Sequence, residues 1–335
     1  MVNHRYAIVI PRYDSRHKLD IPFLMGDRVY GELPEESKEN FDKIYVDERL
    51  FTDGSRVFRI DESVRGKDVY VINQPALNPD QDLMTSIFII DALRRSDAEE
   101  IIVLETYMPH LRQDRASGRE PITSRLVGDF YCAAGVNRVM TFHPHVEQAV
   151  MAFGSSCPLE AFPTYKYLAK FYRELYDLDN TAVCAPDLGS VKMTKRFANV
   201  LGLPLVIINK ERTDVDRTNP VELIGNVNGK RVVTFDDVID TGGSSLNARK
   251  FLMDYGAVDV VLCATHLQFN DNSKGTNKRP EVVRNGVHVI GTDSNPKRWS
   301  KGEQQFFHIY SLAPLIANII SLRAHGKSIS HFFNT

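Results

Sequence analysis

The stretch Arg231–Ser245, RVVTFDDVIDTGGSS, sets an apolar, β-branched run against three carboxylates and a pair of glycines. Val232 to Phe235 reads as a buried strand. Asp236, Asp237 and Asp240 follow it, and then comes Thr241-Gly242-Gly243-Ser244-Ser245. Beyond this, Leu246, Ala248, Phe251, Leu252 and Tyr255 recur at helical spacing until Gly256 stops the helix. The order is strand, acidic then glycine-rich loop, helix. Glycines let backbone approach a ligand, and the N–H groups at a helix start form a cradle for phosphate. The Thr and Ser hydroxyls add donors to the same phosphate. Two adjacent carboxylates would repel a bare phosphate, but they accept hydrogen bonds from sugar hydroxyls or hold Mg²⁺. A sugar phosphate satisfies both halves of the loop, whereas an ordinary βα turn with an acidic cap accounts for only one Asp.

Outward from this stretch the chain alternates strands and helices. Toward the N-terminus, Leu205–Ile208 and Ala182–Ala185 read as strands, with Lys192–Leu201 as a helix stopped by Gly202. Toward the C-terminus, Val258–Ala264 and Val287–Ile290 read as strands and Ala313–His325 as a closing helix. The same alternation runs once before. Tyr6–Ile10, Val57–Ile60, Asp68–Ile72, Ile101–Leu104 and Arg138–Phe142 predict strands, the second and third joined by the turn around Gly66. Asp82–Arg95, Thr123–Ala134 and Tyr165–Tyr176 predict helices. Arg12 to Arg49 is polar and yields only a solvated helix or loop at Glu35–Asn40. Alternation of this kind means mostly parallel sheets flanked by helices. Since it occurs twice, the economical architecture is two similar α/β domains joined near Phe162-Pro163.

A chain of 335 residues has room for two such domains. Its 43% apolar and 25% charged residues are ordinary for a globular protein. A net charge of −2 leaves no basic excess for nucleic-acid phosphates. No apolar run reaches 18 residues, so no membrane span is expected, and the short N-terminal apolar stretch is no signal sequence. Cys132, Cys157, Cys184 and Cys263 are scattered without any CxxC, which predicts reduced, buried thiols in a cytoplasmic protein.

Other polar constellations follow strand ends, where open α/β sheets bind ligands. Arg112-Gln113-Asp114-Arg115 through Thr123 suits an anion or a stacked base, and suits equally a salt-bridged loop opened into a helix by Pro121. His143 and Asp187 each follow a strand directly, where a phosphate-bound metal could sit. Lys210 and Arg212 fit a cationic lid over polyphosphate or a plain solvated charge run. There is no GxxxxGK[ST], no GxGxxG after a strand and no HExxH.

Arg231–Ser245 resembles the phosphoribosyl-pyrophosphate motif shared by type I phosphoribosyltransferases and ribose-phosphate pyrophosphokinases. The remaining chain is similar to the pyrophosphokinases in order and spacing from about Phe51 onward. The matching residues are Phe51-Thr52-Asp53-Gly54, Asp61-Glu62-Ser63-Val64-Arg65-Gly66, Asp91-Ala92-Leu93-Arg94-Arg95, Arg112-Gln113-Asp114-Arg115 with Arg119-Glu120-Pro121-Ile122-Thr123, and Ser328-Ile329-Ser330.

The resemblance implies two phosphoribosyltransferase-like α/β domains: an ATP-binding one over residues 1–163 and a ribose-5-phosphate-binding one over 164–335, with the terminal helix able to pack back on the first. It implies that Phe51, Asp53, Arg112, Gln113 and His143 grip ATP. Asp236, Asp237, Asp240, Thr241, Gly242, Gly243 and Ser244 would hold ribose 5-phosphate, and His143 and Asp187 would meet Mg²⁺. Lys210 and Arg212 would be the catalytic cations. The implied reaction transfers the β,γ-diphosphate of ATP to the 1-hydroxyl of ribose 5-phosphate, in a cytoplasmic homo-oligomer that binds neither nucleic acid nor membrane. A non-catalytic regulatory subunit of the same fold and a transferase consuming phosphoribosyl pyrophosphate are the competing readings. Three departures from the family pattern stand out. Ser55 replaces an acidic residue at the adenine, which predicts relaxed base selectivity. The Arg115–Arg119 loop is short. Residues 269–277 do not match the family's regulatory loop, which argues against its usual phosphate activation and ADP inhibition.

Overall fold

The computed structural model describes residues 5–17, 24–76, 78–209, 222–271 and 273–333. They fall into two compact units. One takes Met1–Pro163 with Ser294–Arg298 and Ser311–Asn334, and the other takes Thr164–Asp293 with Trp299–Tyr310.

In the first unit the strands are β1 (Tyr6–Arg12), β2 (Phe41–Leu50), β3 (Arg56–Ile60), β4 (Asp68–Asn73), β5 (Glu100–Glu105), β6 (Arg138–Phe142) and β7 (Leu159–Phe162). Their order across the sheet is β3-β2-β1-β4-β5-β6-β7. Neighbours are parallel except β2 and β3, which form a hairpin pairing Leu50 with Arg56. The central strands are buried on both faces, which is why they read as unbroken apolar runs. The helices are α1 (Met25–Glu32), α2 (Glu35–Lys38), α3 (Pro79–Arg95) and α4 (Thr123–Ala134). α3 begins three residues earlier than its apolar spacing predicts. Asn78 caps it by accepting the Gln81 N–H at 3.0 Å, and Pro79 fills the first helical position.

β2 is the longest of the strands that the sequence hid. Phe41, Ile44, Val46 and Glu48 are buried, but Asp42 and Lys43 interrupt the alternation. Glu48 points inward because Arg56 pairs with it at 3.3 Å and the Asp14 N–H donates to it at 2.9 Å. β1 also runs through Pro11 to Arg12, two residues beyond its predicted end at Ile10. Beyond Val9 it has only β2 beside it, so the missing proline N–H is tolerated. The strands flanking Gly66 are not partners: β3 pairs with β2, and β4 lies between β1 and β5.

The second unit repeats this plan. Its strands are β8 (Thr181–Ala185), β9 (Leu205–Asn209), β10 (Glu222–Ile224), β11 (Arg231–Ile239), β12 (Asp259–Leu267), β13 (Val289–Thr292) and β14 (Phe307–Tyr310). They stand in the order β10-β9-β8-β11-β12-β13-β14, parallel except for β10 against β9. The helices are α5 (Tyr165–Leu175), α6 (Val191–Leu201), α7 (Gly243–Asp254), α8 (Arg279–Arg284) and α9 (Lys301–Gln304). Side chains of β11 alternate between two cores, as a strand's period of two requires. Val232 packs with Leu246 and Leu252 on one face, and Val233 and Phe235 pack with Leu168, Tyr172 and Phe197 on the other.

The terminal helix α10 (Ala313–Ala324) belongs to the first unit. Ser321 hydrogen-bonds Ser37 at 2.8 Å, and Tyr6 donates to the Ala324 carbonyl at 2.5 Å. Phe333 stacks on Phe162 with ring centres 4.7 Å apart. Among the described residues no helix is long and apolar enough to cross a membrane.

The expectation of four reduced thiols fails at one pair. Cys132 and Cys157 form a disulfide with Cα atoms 5.4 Å apart, while Cys184 and Cys263 are free and buried. The pairing joins the end of α4 to the segment entering β7. Only the fold brings these together, because 25 residues separate them without any local motif.

α4 lies against the short 3-10 turn Glu147–Ala152 through Gly128, where a Cβ would overlap the Ala152 carbonyl oxygen. Gly128→Ala should therefore lower the unfolding free energy by ~1–3 kcal/mol in urea titration, as overpacking against backbone does. Gly302→Ala, whose Cβ meets nothing within 4 Å, should be neutral in the same measurement.

Candidate active site

The second unit gathers the acidic loop at its topological switch point, the pair β8 and β11, where crossovers leave in opposite directions. β8 pairs with β11 only from Thr181 through Cys184, opposite Arg231 to Thr234. After Ala185 the chain turns away, while β11 continues through Ile239 beside β12. Asp236 and Asp237 thus stand within a strand rather than on the loop after it, on a stretch whose β8 side has been left open. Their approach is fixed one residue earlier. Phe235 stacks on Phe197 (ring centres 4.4 Å apart, planes 9° apart), and its carbonyl accepts from Thr194 at 3.0 Å. The stack itself contributes ~0.5–1.5 kcal/mol beyond its burial.

Three carboxylates lie within electrostatic reach here. The Asp237 N–H donates to the Asp236 side chain at 2.9 Å. Asp187 follows β8, and its carboxylate accepts the Ser190 N–H at 3.0 Å, leading into α6. Burial pushes the Asp236 pKa well above the ordinary carboxylate value, and the Asp237 and Asp187 charges push it the same way.

Asp240 through Ser244 form the turn into α7. Asn270 brackets Asp240, donating its backbone N–H to the Asp240 carbonyl at 3.0 Å and its amide to the carboxylate at 3.2 Å. The Lys278 N–H donates to the Thr241 carbonyl at 2.8 Å. Gly242 has a left-handed φ of 86°, and a Cβ there would press Lys278 and Phe269 at 3.1 and 3.2 Å. Only glycine meets both demands. α7 starts at Gly243 without a side-chain cap, so its first-turn N–H groups offer an anion cradle.

The first unit presents its residues along the same kind of edge. Phe51 and Asp53 sit in the hairpin turn after β2. Phe51 is 48% exposed, and Asp53 accepts the Ser55 N–H at 2.9 Å. Hydrogen bonds from the Ser55 backbone and hydroxyl hold the Asp53 pKa below the usual carboxylate value. Ser55 is thereby engaged with Asp53. Arg112 and Gln113 lie on the loop from β5 to α4, with Arg112 exposed and Gln113 half-buried. The Gln113 carbonyl accepts the Ser124 N–H at 3.1 Å, and Thr123 Oγ1 donates to the His110 carbonyl at 2.8 Å. The start of α4 therefore clamps the loop.

His143 follows β6 with a left-handed φ of 42°, and its N–H continues the β6–β7 ladder to the Phe162 carbonyl at 2.9 Å. A non-glycine residue in this region is uncommon and costs on the order of 1 kcal/mol. Across the sheet His143 stands four strand spacings, roughly 19 Å, from the Phe51 turn. The two residues read as metal ligands are divided between the units, His143 in the first and Asp187 in the second. Lys210 and Arg212 lie outside the described residues. Asn270 and Ser190, which orient Asp240 and Asp187, were not singled out in the sequence. Both are ordinary loop polar residues whose part appears only with the backbone in place.

Several known proteins are similar to this chain. Residues 35–135 match the N-terminal domain of ribose phosphate pyrophosphokinase, and residues 163–299 match the phosphoribosyl transferase domain. A ribose-phosphate pyrophosphokinase of Caldanaerobacter subterraneus subsp. tengcongensis is 36% identical over 285 residues, 84% of this chain and 88% of that one. One from Corynebacterium glutamicum is 32% identical over 320 residues, 92% of this chain and 95% of that one. The crystal structure of phosphoribosylpyrophosphate synthetase from Mycobacterium smegmatis superposes with a TM-score of 0.80 at 31% identity, covering 96% of this chain and 99% of that one.

A carboxyl whose pKa is higher in the folded than in the unfolded state binds its proton more tightly when folded. Stability then falls as pH rises from the unfolded value through the folded one. For Asp236 this penalty is fully present above the folded value and absent below the unfolded value. Asp236→Asn should therefore raise the melting temperature of the ligand-free protein at neutral pH by ~2–4 °C, the shift that about 1 kcal/mol produces. The gap should close on acidification, as followed by thermal melts across pH.

Proposed function

The chain belongs to the ribose-phosphate pyrophosphokinase family, and from that premise we propose how its residues divide the reaction. The enzyme transfers the β,γ-diphosphate of ATP to the 1-hydroxyl of ribose 5-phosphate, giving phosphoribosyl pyrophosphate and AMP. The sugar oxygen attacks the β-phosphorus and forms a new O–P bond. The bond from that phosphorus to the oxygen bridging it to the α-phosphate breaks, AMP leaves, and the hydroxyl proton is released.

The switch-point loop of the second unit carries the sugar half of this reading. Its Asp236 and Asp237 accept hydrogen bonds from ribose hydroxyls, and Asp240 helps hold the sugar. Thr241, Gly242, Gly243 and Ser244 hold the 5-phosphate at the start of α7. A cluster of carboxylates that resists ionising alone is suited to hydroxyl donors or a cation, and both relieve the repulsion at Asp236.

In the first unit, Phe51 offers an exposed ring to the adenine, and Asp53, Arg112 and Gln113 meet the nucleotide. Arg112 provides the guanidinium fork suited to phosphate. His143 of the first unit and Asp187 of the second would each offer a ligand of the type Mg²⁺ accepts, a hard cation that takes one or two protein ligands and otherwise phosphate oxygens and water. When bound, Mg²⁺ neutralises phosphate charge. Lys210 and Arg212 counter the charge that builds on the transferred group, since transfer of this type needs positioning and electrostatic help more than covalent chemistry. Ser55 in place of a carboxylate goes with relaxed base selectivity, to be read as the GTP-to-ATP ratio of kcat/KM. A cytoplasmic homo-oligomer, a dimer or larger, accompanies the reading and is checked by light scattering.

The direct test is to incubate the protein with ATP, Mg²⁺ and ribose 5-phosphate and to follow AMP. Sugar-dependent AMP is the expected product. Its absence, with activity on phosphoribosyl pyrophosphate and a base instead, would mark a transferase; silence in both assays would mark a regulatory subunit. Lys210→Ala should lower turnover by ~10²–10³ while ribose 5-phosphate binding stays near that of the parent. Normal turnover in that variant removes the assigned role.

A further inference from the structure

Glu105 ends β5 with its side chain wholly covered, and no step of the reaction above uses it. Ser86 of α3 donates to its Oε1 at 2.5 Å, and Tyr131 of α4 donates to the same oxygen at 2.6 Å. Asn73 of β4 donates from Nδ2, 3.0 Å from Oε2 and 3.2 Å from Oε1. The Glu105 carbonyl accepts from Thr141 of β6 at 2.9 Å. One residue thus ties three strands and two helices at the edge where the Arg112–Gln113 loop leaves the sheet.

Strand register shows how unlike the second unit this edge is. In each sheet the first strand pairs over four residues with the central one, Tyr6–Val9 with Asp68–Val71 and Thr181–Cys184 with Arg231–Thr234. Counting from these starts, Asn73 stands where Asp236 does and Glu105 stands where Ala264 does. The switch-point crevice of the first unit, between Ile10, Tyr13, Met25 and Gln74, keeps only about 10 Å³. The carboxylate has moved one strand over and beneath cover, with hydrogen-bond donors from its own unit around it.

The loop is held at both ends by this arrangement. Glu105 is its last strand residue, and α4 is its far anchor. Thr123 and Ser124 of α4 grip the carbonyls of His110 and Gln113, and Tyr131, two turns further on, is held by Glu105. The side chain accepts from three inward donors, so it fixes where β4, α3 and α4 meet the two ends of the loop.

We propose that Glu105 is a positioning residue whose hydrogen bonds to Ser86, Tyr131 and Asn73 hold the Arg112–Gln113 loop in its nucleotide-binding arrangement. The nucleotide part rests on the role given above to Arg112 and Gln113. Burial pushes the Glu105 pKa up to about 7, opposed by the Ser86, Tyr131 and Asn73 donors and assisted by the Asp82 carboxylate of α3. Tyr13, after β1, is the other ionisable group close to it, with Glu48 of β2 and Arg56 of β3 behind.

Hydrogen–deuterium exchange of residues 106–122 in the ligand-free protein tests this without relying on activity. After correction for intrinsic rates, the loop should be roughly tenfold less protected in Glu105→Ala than in the parent, the size of one hydrogen bond to a buried charge. The α1 helix should be unchanged, as the control for general destabilisation. Tyr131→Phe, which removes one of the three donors, should lower protection of the same loop by less. Parent-like protection of the loop in Glu105→Ala overturns the proposal. In the same variant KM for ATP should rise while KM for ribose 5-phosphate does not. Loop release without a change in KM for ATP keeps the positioning role and instead removes Arg112 and Gln113 from the nucleotide site.

Discussion

Holding Asp236 beside Asp237 at the end of a buried strand, with Asp187 in electrostatic reach, is the constraint on which the second unit turns. Left alone, such carboxylates destabilise the fold in which they sit. The surroundings secure them from outside the charges themselves. Phe235 is locked by Phe197 and Thr194, β12 pairs the strand along its whole length, and Asn270 brackets the next carboxylate. Stability is given up at the mouth of the crevice and supplied by the apolar layers on both faces of the sheet. A site that costs free energy when empty is one whose ligand gains by filling it.

The two units solve the same topological problem differently. Both follow one strand order, and both have a crevice beside their first and central strands. In the second, β11 outruns β8 and carries its carboxylates past the end of that strand. In the first, neutral Asn73 occupies that register position, the crevice has closed, and Glu105 makes its bonds inside the unit. The residues assigned to the nucleotide lie instead on the β2–β3 turn, the β5–α4 loop and the end of β6. On the proposed assignment, this contrast separates a sheet edge that would bind through its own strand residues from one that would bind through its loops.

Much of this was legible in the residues. Buried parallel strands such as Ile101–Leu104 and Val232–Phe235 announce themselves because both faces are apolar. The acidic, glycine-rich loop was readable because Gly242 and its neighbours have a local conformational reason to be there. Three of the four edge strands, and β2 beside the fourth, were not readable. β2 mixes charges with apolar residues because Glu48 is satisfied by Arg56, a partner in another strand. β7, β10 and β14 are only three or four residues long. The Cys132–Cys157 bond and the donors around Glu105 come from residues that only the fold makes neighbours. Sequence reported what local chemistry decides and was silent wherever a distant partner decides.

On the proposed assignment, ribose 5-phosphate binds at the Asp236–Ser244 edge, at a carboxylate that resists ionising until its partner arrives. Calorimetric titration with ribose 5-phosphate in two buffers of different ionisation enthalpy measures this directly. Binding should be accompanied by proton release in the pH range where the free carboxyl is still partly protonated, with both the binding and the linked proton lost in Asp236→Asn. Equal binding in parent and variant, or binding without a linked proton across that range, would contradict it.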